Sequence, residues 1–288
     1  MTKKSVWLIT AKSNLHVGDE STSNYGIIDK SVQRDALTGL PCINSSSLKG
    51  ALNEYFSMSA NKDSDFMIKV FGVDKKAHDE RYKEEDRKKD TQKGSHTFFD
   101  AKLLSIPVQS NNRLFYRATS IGILEQFLDR INRFDVILET FSQKNIEGLK
   151  NIMNNEYSAV IFEKAKQKVF LGDFDKIQIQ ESNSDIEALE MLLGTNIALF
   201  RDADFNELCD NNNLPIIARN KLDNGESKNL WYEQILPQET IFYSLFLSQG
   251  EEKLELDNKI IQIGANATIG YGYCEFKNLT PENHEKEA

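Results

Sequence analysis

The sequence has 288 residues, of which 40% are hydrophobic, so one large or two small domains can bury a core. No apolar run approaches the ~20 residues that a membrane-spanning helix needs. The short apolar run at residues 6–9 is typical of a strand, and it is too short for a signal peptide. The net charge of −9 argues against non-specific nucleic-acid binding, but it leaves room for a local cationic groove.

The cysteines and histidines do not form a recognisable chemical motif. Cys42, Cys209 and Cys274 are odd in number and far apart, which argues against a disulfide framework or a zinc site and fits a reducing cytoplasm. We find no HExxH, CxxC, phosphate-loop or GxSxG pattern, and the four histidines are scattered. The sequence therefore gives no sign of a multi-ligand metal centre.

The first third of the chain is organised around a long polar loop. A strand is predicted at residues 5–11, and a helix at 46–59 whose first amides are capped by the hydroxyls of Ser45–Ser47. A short helix at 63–71 is ended by Gly72. Residues 74–93 carry dense charge of both signs, which is typical of a solvated helix or a disordered insertion; a flexible segment that contacts RNA or a neighbouring subunit is the functional alternative.

Strands and helices alternate through the rest of the chain, which predicts the α+β class. The clearest local signal is Asp223-Asn224-Gly225, a hairpin turn between two β-rich runs at residues 215–237. A core-packed helix is predicted at 119–133 from its apolar spacing. Further helices are predicted at 183–193 and 202–210, and strands at 96–108, 113–118, 158–162, 167–171, 175–180, 240–248, 258–263 and 269–276.

Three groups of motifs carry a family resemblance. The first is GIID (26–29), QRD (33–35), TGLP (38–41) and SSLKG (46–50); the second is IQIG (261–264) with GYG (270–272); the third is FDAKLL (99–104) with IPV (106–108). Along the chain the first group lies near the start, the third near the middle and the second near the end. In that chain order they resemble the RAMP superfamily of CRISPR proteins, most nearly the backbone subunit of the type III-B (Cmr) effector complex. The sequence departs from the family at Asp35, usually Glu, and at Ser31, often Pro.

The resemblance implies a ferredoxin-like (RRM-like) core with large insertions, described as palm, fingers and thumb. A single domain is then expected over residues 1–288. Within it, the catalytic loop is expected at about 12–44, the charged insertion (fingers) at about 60–96, and the thumb hairpin at about 215–237.

The resemblance also assigns the chemistry. Asp29 matches the aspartate that the family needs to cut target RNA, and His16 is a supporting candidate. RNA carries its own nucleophile, the 2′-hydroxyl, so the protein has mainly to hold the in-line geometry and help remove one proton. One carboxylate can do this, or it can share a hydrated divalent ion, Mg or Mn. The expected products are a 2′,3′-cyclic phosphate and a 5′-hydroxyl.

Further residues are predicted to contact RNA. Free amides, a dipole and a cation at the start of the helix suit a phosphate, and such a cradle is compatible with a plain helix cap. Glycines permit close backbone approach to RNA, and the thumb is expected to wedge into the guide–target duplex. The predicted RNA contacts are Lys30, Arg34, Ser46, Ser47, Lys49, Gly50, Gly264, Gly270 and Gly272, and the thumb residues are Arg219, Lys221, Trp231 and Tyr232.

Two functions remain open from the sequence. The first is an RNA-guided endoribonuclease subunit, whose expected partners are guide RNA, complementary target RNA, further copies of itself and the other subunits of the Cmr complex. The second is a non-catalytic subunit that coats the guide RNA without cutting. A variant within the family is the backbone subunit of the related type III-A complex. Asp29 on its loop favours the enzyme.

Overall fold

The computed structural model describes residues 2–18, 28–58, 64–73, 92–164 and 167–280. The helices of this described part are α1 (Ser45–Ser57), α2 (Ser64–Phe71), α3 (Ile121–Asn132), α4 (Gln143–Ile152), α5 (Ser184–Leu193) and α6 (Asp202–Leu208), with a short 3-10 helix at Ala267–Ile269. The strands are β1 (Lys3–Ala11), β2 (Cys42–Ile43), β3 (Gly72–Val73), β4 (Gln92–Lys93), β5 (His96–Phe98), β6 (Ala101–Gln109), β7 (Phe115–Ser120), β8 (Ala159–Phe162), β9 (Ile177–Gln180), β10 (Ile197–Phe200), β11 (Ile216–Asp223), β12 (Glu226–Gln234), β13 (Ile241–Ser248), β14 (Ile260–Gln262) and β15 (Tyr273–Asn278).

Most strands join one eleven-stranded sheet. Its order is β14-β15-β1-β13-β6-β7-β10-β8-β9, with β2 added on β6 and β5 on β13. β1 lies antiparallel between β13 and β15. Its four consecutive buried residues, from Val6 to Ile9, fit a strand covered on both faces. β11 and β12 form a separate two-stranded hairpin, and β3 and β4 form another.

α3 packs against the sheet through its apolar face, as the spacing of its apolar residues predicts. The Ser120 hydroxyl accepts a hydrogen bond from the Ile123 amide at 3.4 Å, so the end of β7 caps the helix that follows it. The buried face of α3 includes Phe127, whose ring lies 4.7 Å from that of Tyr243 on β13 in an edge-to-face contact. β10 then runs parallel to β7, and the connection between these two strands contains α3, α4, β8, β9 and α5.

Several element predictions need correction. The predicted strand 96–108 is interrupted at Phe99–Asp100, between β5 and β6, although both halves pair with β13. The predicted strand 167–171 is reduced to isolated bridges at Leu171. The serine cap of α1 is wrong: the N-cap is Asn44, without a side-chain cap, and the Ser45 amide donates to the Asp100 carboxylate at 2.8 Å. The interruption of the strand supplies that carboxylate.

The hairpin prediction is confirmed. Asn224 and Gly225 both have positive φ, 51° and 85°, as a two-residue turn between right-twisted strands requires. The α+β class is confirmed as well, while the ferredoxin-like core and the domain divisions stay predictions. Most of the charged insertion and part of the catalytic loop lie outside the described residues. No described helix is long and apolar enough to cross a membrane.

Candidate active site

Asp29 is held against the foot of the β11–β12 hairpin. The amides of Asp29 and Lys30 both donate to the carbonyl of Tyr232 at 3.1 Å, and the Gln234 amide donates to the carbonyl of Lys30 at 2.9 Å. The Tyr232 amide in turn donates to Asp29 Oδ2 at 2.7 Å. Residues 29–30 therefore lie along β12 like the start of an extra strand. An exposed carboxylate is fixed at this place by backbone groups.

His16 is buried, with 2% of its surface exposed, and it bonds to β12 at Gln234, the residue whose amide binds Lys30. Its Nδ1 lies 2.7 Å from the carbonyl of Gln234, and its own carbonyl accepts from the Ala265 amide at 2.9 Å. The imidazole thus joins β12 to the loop after β1, and the backbone joins that loop to the glycine-rich segment. These contacts give His16 a structural role in the fold, and a supporting role in catalysis or RNA contact stays a prediction.

Glu233 links the segments of the site, and sequence reasoning missed it. Its carboxylate is buried and accepts four hydrogen bonds. Oε1 accepts from Lys30 Nζ at 3.1 Å and Trp231 Nε1 at 2.8 Å; Oε2 accepts from Arg219 Nε at 3.2 Å and Asn266 Nδ2 at 2.8 Å. Burial alone raises the pKa of Glu233, but these four hydrogen bonds outweigh it and lower the pKa to about 2. The one sequence signal was an acid two residues before the apolar pair Ile235-Leu236.

The four predicted thumb residues divide between the two faces of the hairpin. Arg219 pairs with Trp231 across the strands, and Lys221 with Asn229, so these side chains share the face that carries Glu233. On that face Lys30 lies 5.3 Å from the Trp231 ring centroid and Arg219 4.6 Å from that of Tyr271. Tyr232 points to the other face, which also carries the exposed Leu230. Arg219, Trp231 and Tyr232 therefore lie at the site, while Lys221 lies farther towards the hairpin tip.

Of the three predicted glycines in the glycine-rich segment, Gly264, Gly270 and Gly272, two are required by the protein itself. Gly264 and Gly272 have positive φ, and a Cβ at either position would collide with a carbonyl oxygen, that of His16 and that of Ile263 respectively. Gly270 also has positive φ, at 83°, but its Cβ direction is open among the described residues. The close approach that needs glycine is thus between backbone segments of this chain at two positions. Contact of all three glycines with RNA stays a prediction.

A second group of predicted residues lies around the start of α1. Ser46, Lys49 and Gly50 are exposed, while the Ser47 hydroxyl accepts from Gln33 Nε2 at 3.0 Å. The same Gln33 amide donates to the carbonyl of Gly18 at 3.2 Å. Gln33 therefore connects α1 to the loop after β1. The phosphate cradle stays a prediction, and the Asp100 carboxylate already accepts from the first amide of the helix.

Arg34 and Asp35 stabilise the turn that follows. Arg34 Nη1 donates to the carbonyls of Gly39 at 2.7 Å and Cys209 at 2.9 Å, and burial lowers the pKa of the guanidinium. Asp35 accepts from Lys102 and from the amide and hydroxyl of Thr38. Burial raises the pKa of Asp35, but these hydrogen bonds reverse the effect and lower it below the usual range. RNA contact by Arg34 stays a prediction, and its guanidinium already serves the fold.

The described residues contain no group of three or more histidine, cysteine or acidic side chains that could hold a metal ion. At the site, Glu233 is fully engaged, with two donors on each oxygen. Asp29 differs, because its Oδ1 receives no hydrogen bond from the described residues while Oδ2 is anchored. The site thus offers one exposed carboxylate, which suits a hydrated divalent ion that keeps most of its waters.

Comparison with known proteins identifies the family of the chain. A model of the RAMP superfamily matches residues 8–275. The Cmr endoribonuclease Cmr4 of Pyrococcus furiosus is 30% identical over 286 residues, covering 88% of this chain and 89% of the relative. A chain of the type III-B Cmr-beta complex bound to cognate target RNA superposes with a TM-score of 0.73 at 23% identity, covering 96% of this chain and 97% of that one. Oligomeric Cmr4 from P. furiosus superposes with a TM-score of 0.65 at 24% identity, covering 96% and 98%. With the match running from the middle of β1 into β15, the chain belongs to the RAMP superfamily and, within it, to the Cmr4 family.

Proposed function

We propose that this chain is the repeated backbone subunit of a type III-B CRISPR ribonucleoprotein that binds guide RNA and cleaves complementary target RNA at regular intervals. The observation that carries the proposal is the exposed Asp29 carboxylate, anchored by the Tyr232 amide at the foot of the hairpin. The P. furiosus relative is named an endoribonuclease, which supports cleavage as the activity. The partners are guide RNA, target RNA, further copies of the chain and the other Cmr subunits.

In the proposed reaction, the 2′-hydroxyl of the target attacks the adjacent phosphorus, and Asp29 takes the hydroxyl proton. The Tyr232 amide fixes Oδ2, which leaves Oδ1 to accept that proton. Because the nucleophile is already part of the RNA, holding the in-line geometry supplies much of the acceleration. The bond from phosphorus to the 5′-oxygen then breaks and the departing oxygen takes a proton from water, which yields a 2′,3′-cyclic phosphate and a 5′-hydroxyl.

The single exposed carboxylate of Asp29 is compatible with a divalent ion, Mg or Mn, held through water. When bound, such an ion supplies positive charge that stabilises the negative charge developing on the phosphate. The chain's own contribution is to present the carboxylate and to keep its backbone fixed. Glu233 does not act as a ligand in this proposal, because Lys30, Trp231, Arg219 and Asn266 occupy both of its oxygens.

The β11–β12 hairpin serves as the wedge that opens the duplex. Residues 223–230 at its tip are exposed, and the described side-chain hydrogen bonds there stay within the hairpin, as between Ser227 and Asn220. A continuous helix forbids in-line attack, and unstacking a base costs a few kcal/mol. Because Tyr232 belongs to the hairpin and also binds Asp29, the opened nucleotide and the carboxylate are presented by one structural unit.

The test is reconstitution with guide RNA and the other Cmr subunits, followed by labelled complementary target. Cuts at regular intervals with cyclic phosphate ends support the proposal. Target that is bound and left intact supports the alternative, a subunit that coats the guide without cutting. We place the complex in the cytoplasm, because the three cysteines are free and buried, as in proteins of a reducing compartment.

A further inference from the structure

We propose that Glu233 is a positioning residue that fixes Asp29 in register with the hairpin, and that it is not itself the base of the reaction. This inference rests on the proposed function and extends it to a second residue. It stands on the geometry of the four hydrogen bonds that converge on one buried carboxylate.

Those four bonds come from three separate segments of the chain. Lys30 belongs to the Asp29 loop, Arg219 and Trp231 to the hairpin, and Asn266 to the glycine-rich segment. Lys30 and Glu233 are 203 residues apart in sequence. A carboxylate has about four lone-pair sites, and here all four are used. Because all of its acceptor sites are used, the buried carboxylate holds its donors in place, although Arg219 Nη2 has no partner among the described residues.

Glu233 acts on Asp29 through Lys30. The Lys30 amide and carbonyl are both bonded to β12, and its ammonium group is bonded to Glu233 on the same strand. Three contacts therefore hold the residue next to Asp29 in a single register. Without the ion pair between Lys30 and Glu233, residues 29–30 keep their backbone hydrogen bonds to β12. They lose the charge interaction that favours this register over one shifted along β12.

Two observations argue against Glu233 as the base. Its side chain is 2% exposed, so a ribose hydroxyl cannot reach it without displacing a donor. A base whose pKa is about 2 also has little affinity for a proton near neutral pH, where a catalytic base works best with a pKa near the working pH. Asp29, by contrast, is exposed beside it.

The test uses the reconstituted complex with Glu233→Gln. Gln keeps the shape of Glu and one acceptor oxygen, but it carries no charge. Its amide group would face two of the hydrogen-bond donors that now bind the carboxylate. We expect normal assembly and target affinity, with single-turnover cleavage slowed about 10- to 100-fold, as for a small misplacement of a reacting group. The midpoint of the acidic limb of the pH–rate profile should stay where it is in the wild type. Before RNA is added, amide exchange at residues 29–30 should accelerate.

Glu239→Gln is the matched control, because this substitution removes the same charge from an ion pair outside the site. Glu239 pairs with Arg117 at 2.7 Å. The control should leave amide exchange at residues 29–30 and the cleavage rate unchanged. If Glu233→Gln does not fold, Lys30→Gln replaces it in the test, because Lys30 is 54% exposed and its substitution should be tolerated by the fold. Amide exchange at residues 29–30 is then measured in this variant without RNA.

Three results overturn the inference. They are wild-type cleavage by Glu233→Gln, loss of the acidic limb in that variant, and unchanged exchange at residues 29–30 in whichever variant folds. A wild-type complex that does not cut its target refutes the proposed function instead. In that case the exchange measurement still decides whether Glu233 holds the loop.

Discussion

Replacing Asp29 by Asn separates the two roles that its carboxylate can have. Asn keeps a side-chain oxygen that accepts from the Tyr232 amide, now 2.7 Å from Oδ2, so the loop stays attached to β12. It cannot take a proton and does not attract a metal ion. A single hydrogen bond contributes about 0.5–1.5 kcal/mol, and most of that is retained, so the fold should be unaffected. Loss of a general base alone should slow cleavage by about 10²–10⁴-fold.

Asp29→Ala completes the comparison, because it removes the acceptor as well as the charge. If Asp29 only shapes the loop, the Asn variant should cut normally and the Ala variant should be impaired. If Asp29 is the base or holds a metal ion, both variants should bind target and fail to cut. The assay is target cleavage by the reconstituted complex with and without divalent metal, with binding measured on the same preparations.

The charge-matched control is Asp173→Asn, an exposed aspartate outside the site. Asp35 is unsuitable as a control, because its carboxylate accepts from Lys102 and Thr38 and is needed by the turn. Undiminished cleavage by Asp29→Asn, with the control also active, would refute the catalytic role and leave the guide-coating function.

Three other predictions follow from the structure. Asp35→Asn should lower the free energy of unfolding by about 1–3 kcal/mol, because a 12% exposed carboxylate loses its ion pair with Lys102; an unchanged thermal midpoint would contradict this. Deleting residues 220–229 and closing β11 to β12 with a short turn should preserve folding and guide binding while target cutting falls sharply, so an unaltered cleavage pattern would exclude the wedge. Lys49→Ala should weaken guide binding and reduce its salt slope by about 1, whereas Arg34→Ala would also disturb the contacts to Gly39 and Cys209; an unchanged slope would remove Lys49 from the groove.

Local chemistry made part of the fold predictable. The hairpin turn at Asn224-Gly225 and the apolar face of α3 depend on residues within a few positions of one another, and both were predicted correctly. Asp29 was identified through the family resemblance, because a single loop aspartate carries no chemical signal of its own. Its anchor on Tyr232, 203 residues away, had no counterpart in the sequence pattern.

The missed features all depend on distant partners. Glu233 looked like one acid in a strand, and only the fold brings Lys30 and Asn266 to it. The serine cap of α1 was a reasonable local prediction that a tertiary contact replaced, since Asp100 comes from 55 residues along the chain. In both cases a buried or half-buried carboxylate accepts hydrogen bonds from distant segments of the chain. Hydrophobic periodicity cannot predict that such segments come together.

The carboxylate at the start of α1 also restricts which sequences can begin that helix. The first helical position normally accepts proline well, because its amide has no partner within the helix. Here that amide belongs to Ser45 and donates to Asp100, at the interruption between β5 and β6. A proline at position 45 would leave Asp100 without this donor and detach the helix start from the sheet. Stabilisation by proline at helix starts, a common engineering choice, should therefore avoid this helix.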